Sequence, residues 1–102
     1  MASYRLTPDA QTDLVGIRRF TLARWGADQS RKYLSGLRQT LQLLTENPSL
    51  GKARPEIGPG VLSFPHGSHI IYYLVHTQQP VVFGVLHKRM VPADHLSERE
   101  IG

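Results

Sequence analysis

His69-Ile70-Ile71-Tyr72-Tyr73-Leu74-Val75-His76 and, past the turn signal Gln78-Gln79-Pro80, Val81-Val82-Phe83-Gly84-Val85-Leu86-His87 decide the fold. Both runs are rich in β-branched and aromatic residues, which suit a pleated surface. Neither contains an Asp, Glu, Lys or Arg. Such near-continuous apolar character predicts neighbouring strands of an antiparallel meander with both faces partly covered. Val61-Leu62-Ser63-Phe64 reads as a preceding strand that Pro65 breaks, with Gly67 in the turn.

Upstream, the hydrophobic period lengthens to that of helices. Thr7-Pro8-Asp9 is a helix start, with Thr as N-cap, Pro in the first turn and a carboxylate facing the positive end of the macrodipole. Ala10, Leu14, Ile17, Thr21 and Trp25 then share one face, and Gly26 supplies a left-handed terminator. A second helix from about Ala27 to Glu46 carries the seam Leu34, Leu37, Leu41 and Leu44, and Asn47-Pro48 stops it. Two helices joined by about one residue form an antiparallel hairpin. Ser49 to Gly60, punctuated by Gly51, Pro55 and Gly58-Pro59-Gly60, reads as a surface connection, and Tyr4 to Leu6 as a short strand. The expectation is α+β: a helical hairpin packed on a small, mainly antiparallel sheet in the order β-α-α-β-β-β. Residues 1–102 are expected to form one domain, with 91–102 as its C-terminal tail.

Composition narrows the function classes. The 102 residues hold 12 Lys+Arg, 8 Asp+Glu and no Cys, which excludes disulfide scaffolds, thiol catalysis and cysteine zinc sites. No apolar run approaches the ~18–20 residues of a membrane span. Met1-Ala2-Ser3-Tyr4-Arg5 lacks the apolar segment of a secretory signal, so a cytoplasmic location without membrane contact is expected. The charge is unevenly placed. Arg18, Arg19, Arg24, Arg31, Lys32, Arg38, Lys52 and Arg54 face only Asp28 and Glu46 between Val15 and Arg54, whereas acidic residues are in excess elsewhere. A field of that kind steers toward an acidic partner.

Of the five histidines, His66 and His69 flank a turn, and His76 and His87 close strands. With no carboxylate at ligand spacing, no metal and no other cofactor are expected; histidines at strand ends with a wet polar tip are the plainer reading. Acid–base phosphodiester cleavage needs a base, an acid and cations around one phosphate. His87-Lys88-Arg89 supplies an acid and two cations, but the strands offer no second group. Tyr72 and Tyr73 read as core, and no catalytic residue is assigned. His87, Lys88, Arg89 and Met90 instead form a cationic strand end with an apolar neighbour, suited to contact with a target. Gly51-Lys52-Ala53-Arg54-Pro55 holds two further cations on a restrained loop.

Several segments together resemble one family. They are Leu6-Thr7-Pro8-Asp9-Ala10, Arg24-Trp25-Gly26, Tyr33-Leu34, Asn47-Pro48 with Gly51, and Arg54-Pro55-Glu56-Ile57, followed by Ser63-Phe64-Pro65, His69 to Tyr73, Val85 to Met90 and His95-Leu96. From Tyr4 to about Leu96 the chain is similar to the ParE toxins of type II toxin–antitoxin modules, within the RelE/ParE superfamily. The resemblance implies a growth-inhibiting bacterial protein that binds DNA gyrase and is neutralised by a cognate antitoxin. An acidic, amphipathic C-terminal segment of that antitoxin is expected on Arg18, Arg31, Arg38, Arg54, Leu34 and Leu37. No sequence-specific DNA binding is expected, and a toxin dimer and a toxin–antitoxin heterotetramer are both left open. Leu62, Gly84 and Val91 stand where many relatives carry Arg, Arg and Asp. The alternatives are a RelE-type ribosome-dependent mRNA endoribonuclease, with His87 as acid or base and Lys88 and Arg89 as phosphate clamps, and a degenerate, non-toxic antitoxin-binding module.

Overall fold

A computed structural model describes residues 3–100. Strand β1 (Arg5–Leu6) leads into α1 (Pro8–Trp25) and α2 (Ala27–Glu46), then a single 3-10 turn (Pro48–Leu50). Strands β2 (Lys52–Ala53), β3 (Leu62–His66), β4 (His69–His76) and β5 (Gln79–His87) follow, and α3 (Pro92–Leu96) ends the elements. The sheet order is β1-β5-β4-β3-β2, antiparallel except for the parallel pair β1–β5. The expected α+β plan is present, with one more strand than the sequence pattern showed.

Local signals set the hairpin. Thr7 Oγ1 accepts the Ala10 N–H at 3.2 Å, satisfying one of the free donors at the start of α1. Gly26 alone joins the helices at φ 88°, a backbone region that costs glycine little. Where the helices first meet, Thr21 Oγ1 and Ser30 Oγ lie 2.6 Å apart in a buried hydrogen bond. Trp25 leaves the face assigned to it. At 42 % exposure it stands edge-on to Tyr33, ring centroids 5.5 Å apart.

Apolar contact covers both faces of the sheet. Leu37, Leu41 and Leu44 of α2 and Ala10 and Ile17 of α1 pack on Ile71, Tyr73, Val82 and Val85. Val61, Tyr72, Phe83 and Leu86 face the other way, under Leu96. Val82 and Val85 share a face although three residues apart. The ladder skips Phe83, pairing Tyr72 with Gly84 and Tyr73 with Val82, so the bulge switches the alternation. Tyr73 is fully buried, and its hydroxyl donates to Pro48 O (2.8 Å) and accepts from Gly51 N (2.9 Å).

Four local expectations are corrected. The connection after α2 contains β2, paired to Leu62 and Ser63 of β3. Pro65 continues β3 opposite Ile70, beyond the stretch that β2 flanks, where an edge position tolerates a missing N–H. The β4–β5 turn is Thr77-Gln78, and Pro80 lies inside β5. Within the tail, Pro92–Leu96 form α3, with Leu96 buried at 4 % exposure. Gly84 permits that approach, since a Cβ there would meet Leu96 Cδ2 at 2.6 Å.

Thr77 and Gln78 both have positive φ (50° and 62°), as a two-residue hairpin of the mirror-image type requires. A β-branched residue is strained there. Replacing Thr77→Asn together with Gln78→Gly is expected to stabilise the fold by about 1 kcal/mol. The check is a higher urea midpoint at constant slope; an unchanged midpoint would show that the turn stores no strain.

Candidate functional site

The turn after β5 is built by its own hydrogen bonds. Lys88 N donates to Ser68 O (2.9 Å), Met90 N to His87 O (2.9 Å) and Arg89 N to His87 Nδ1 (3.2 Å). Lys88, Arg89 and Met90 are exposed, and His87 is half-buried. His87, Lys88 and Arg89 line a pocket of about 430 Å3 with Ser68 and with Phe20, Arg24 and Trp25 from the end of α1. Met90 opens onto the adjoining cavity between α1 and β5, about 390 Å3, which His87 also lines. The four expected target-contact residues therefore sit together. Phe20, Arg24 and Trp25 join them from a distant part of the chain, and no sequence spacing links the two segments.

A second concavity of about 230 Å3 lies among α1, α2 and β1. Its walls are Tyr4, Leu6, Leu14, Val15, Leu34, Leu37 and Leu41, with Arg18 and Arg38. Both arginines are exposed, so an apolar floor is flanked by two cations. Of the six residues expected to meet an antitoxin, Arg18, Leu34 and Arg38 converge here with accessible surface, whereas Leu37 is a core side chain only 2 % exposed. Arg31 lies outside it, paired with Asp28 one helical turn away. Arg54 is at the far edge of the sheet, bound to Glu56 at 2.8 Å and lying over the Tyr72 ring. Glu56 holds the Arg54 pKa above its ordinary value, chiefly through that hydrogen bond.

His66, His76 and His87 sit at strand ends with at least part of the ring exposed, as expected, and His69 is the exception. His69 is 5 % exposed, with Nδ1 2.6 Å from Tyr33 Oη. Its ring is edge-on to His87, which lies opposite it in the ladder, and His76 is at the other end of the sheet. Burial first, then the neighbouring His87 and His66, lower the His69 pKa to about 4. The unfolded chain binds that proton near 6.5. Folding stability is therefore expected to fall as pH drops from about 6.5 to about 4, by up to ~3 kcal/mol from this group. Urea unfolding across that window should lose much of its pH slope in His69→Gln; an unaltered slope would show that His69 is not its source.

A half-buried ion pair supports the site from behind. The Asp13 carboxylate on α1 receives Arg99 Nη1 at 2.5 Å, Arg99 Nη2 at 3.1 Å and Val85 N at 2.9 Å. Arg99 Nη1 also donates to Phe83 O at 3.1 Å. Since β1 covers β5 only at Val81 and Val82, these side chains take over the uncovered edge beyond it. Neither residue stood out in the sequence. Gly84 leaves room for Arg99, whose Nη1 would lie 3.4 Å from a Cβ there. Leu62 packs against the helical core, and Val91 is 56 % exposed. Among the described residues, no group of three or more His, Asp or Glu is placed to hold a metal ion. Among the described residues, no helix is long and apolar enough to cross a membrane.

Comparison with known proteins places this architecture. Residues 4–92 match the family described as ParE toxin of type II toxin-antitoxin system, parDE. Toxin ParE1 of Mycobacterium tuberculosis (strain H37Rv) is 40% identical over 88 residues, covering 85% of this chain and 90% of that protein. Toxin ParE of Escherichia coli is 33% identical over 100 residues, 97% of each chain. Toxin ParE1 of Caulobacter vibrioides is 31% identical over 96 residues, 94% of this chain and 99% of that one. In three dimensions the chain is similar to a structure titled "Chromosomal ParDE TA system from P. aeruginosa", with TM-score 0.71 and 19% identity, covering 85% of this chain and 96% of that one. With its helical hairpin, its five-stranded sheet and a family match running from Tyr4 to Pro92, the chain belongs to the ParE toxin family of type II toxin–antitoxin systems.

Proposed function

We propose that this toxin acts by binding DNA gyrase, without catalysing a reaction, and that a cognate antitoxin neutralises it. The observation that carries the reading is the β5–α3 turn. His87, Lys88 and Arg89 project there beside exposed Phe20 and Trp25, and no carboxylate lines the pocket to complete an acid–base set. Strands β3 to β5 have no Asp, Glu, Lys or Arg, and their Tyr72 and Tyr73 side chains are committed to the core. What remains is a contact surface on a rigid end of the sheet.

The groove among α1, α2 and β1 is the proposed antitoxin seat. Its apolar floor and paired arginines suit an acidic amphipathic segment that folds as it binds. The test adds purified toxin to gyrase and follows supercoiling and cleavage-complex formation. Inhibition that Lys88→Ala/Arg89→Ala weakens about tenfold or more supports the reading, on the scale of charged anchor residues. Unchanged gyrase activity at saturating toxin would sink it. Loss of ribosome-bound mRNA on induction, abolished by His87→Ala, would replace it with the nuclease.

A further inference from the structure

The pocket at the end of α1 holds more than the contiguous turn provides. Arg24, Lys88 and Arg89 line it with His87, and among the described residues none of the three cations has a carboxylate partner within ion-pair distance. Arg24 lies over the Phe20 ring, its guanidinium carbon 5.3 Å from the centroid. Phe20 and Trp25 are 43% and 42% exposed, large apolar rings left in water beside unneutralised charge. Trp25 is held at a fixed angle by Tyr33, which in turn donates to His66 O at 3.0 Å. Ser68, whose backbone carbonyl accepts the Lys88 N–H, also lines the pocket.

We propose that this pocket is a single-stranded nucleic-acid site. Arg24, Lys88 and Arg89 take successive backbone phosphates, and the Trp25 and Phe20 rings take the faces of the bases. Cations that track a backbone beside flat aromatic platforms are the arrangement that binds single strands without reading sequence. A ligand that carries phosphate and base together uses both the cations and the aromatic rings of the pocket, whereas an isolated anion uses the cations alone. An acidic peptide would meet the charge and leave both rings unused. Such a peptide has a better match in the groove around Leu34 and Leu37, where the lining is apolar. The inference deepens the gyrase reading and rests on it only for where the strand comes from.

Trp25 is the chain's single tryptophan, so its fluorescence reports on the site directly. The toxin is titrated with a short oligothymidine, with inorganic phosphate and with oligoglutamate of matched charge. Oligothymidine should quench Trp25. Its affinity should fall with salt at a log–log slope of about −2 for three neutralised phosphates. Arg24→Ala/Arg89→Ala should weaken binding about tenfold or more and flatten the slope to about −0.7, with an unchanged melting temperature. Trp25→Ala, followed by polarisation of a labelled oligonucleotide, should lose several-fold through stacking.

No quenching by oligothymidine overturns the proposal. So does oligoglutamate binding as tightly and competing, which would make this an acidic-protein face. Inorganic phosphate saturating the signal equally well would reduce it to a bare anion site and also overturn it. The assay contains no gyrase, so the two readings fail separately. Oligonucleotide binding without gyrase inhibition defeats the target assignment, and inhibition without oligonucleotide binding defeats this one.

Discussion

Asp13→Ala is expected to destabilise the fold by about 3 kcal/mol, near the low end for removing one partner of a buried charge pair. The side chains of Asp13 and Arg99 are 14% and 16% exposed, so water screens the pair only in part. Loss of the carboxylate leaves the Arg99 guanidinium with one acceptor, Phe83 O, and strips Val85 N of its partner at the open edge of β5. An uncompensated cation and an unsatisfied amide both carry desolvation penalties. Against a typical total of about 5–15 kcal/mol for a small domain, a loss of this size is severe. Urea unfolding measures it, and hydrogen exchange at the Val85 amide localises it. Arg99→Ala should cost less, because Asp13 then keeps Val85 N and gains water. The double variant should fall short of the sum by about 1–3 kcal/mol. A loss under about 1 kcal/mol with Val85 still protected would show that another contact closes the edge.

The ion pair also marks the limit of what the sequence could tell. Helix boundaries were legible because capping is local: Thr7-Pro8-Asp9, Gly26 and Asn47-Pro48 each act within a few residues. The leucine seam of α2 was legible because its period is that of the helix it builds. Asp13 and Arg99 are 86 positions apart and meet only after the tail has wrapped around β5, which no local pattern encodes. Strand β2 is similar, since Lys52 and Ala53 have no strand character until β3 lies beside them. Leu96 is one apolar residue in a polar stretch, and its burial depends on the absent side chain of Gly84 across the sheet. The site divides in the same way. His87 to Met90 is contiguous, so its cationic character could be read directly. Its partners Phe20, Arg24 and Trp25 required the fold, and the helical periodicity pointed Trp25 inward. Charge excess pointed to Arg18, Arg31, Arg38 and Arg54 alike, but only geometry shows that Arg18 and Arg38 flank an apolar floor.

That separation makes the antitoxin seat testable by charge reversal. Arg18→Glu/Arg38→Glu is expected to weaken antitoxin binding by about 10³-fold, or ~4 kcal/mol. Each reversal removes an attraction and sets a like charge against the antitoxin's carboxylates, so the association rate and its salt dependence should both drop. The apolar floor should fail differently. Leu34→Asp places a charge among Leu14, Leu37 and Leu41 and should act mainly by speeding dissociation. Both arginines are exposed and without an ion-pair partner among the described residues, so the double reversal should leave the melting temperature in place. Arg31→Glu is the matched control on the outer face of α2, expected within about threefold of the unaltered toxin, as for an exposed rim charge. In cells, the doubly reversed toxin should inhibit growth even when the antitoxin is co-expressed, because its turn at His87 to Met90 is untouched. Growth restored by the antitoxin as for the unaltered chain would remove the groove from the interface. An Arg31→Glu loss equal to that of the pair would spread the contact over the whole basic face of the hairpin, and the apolar floor would then cease to be the reason for the antitoxin's choice of site.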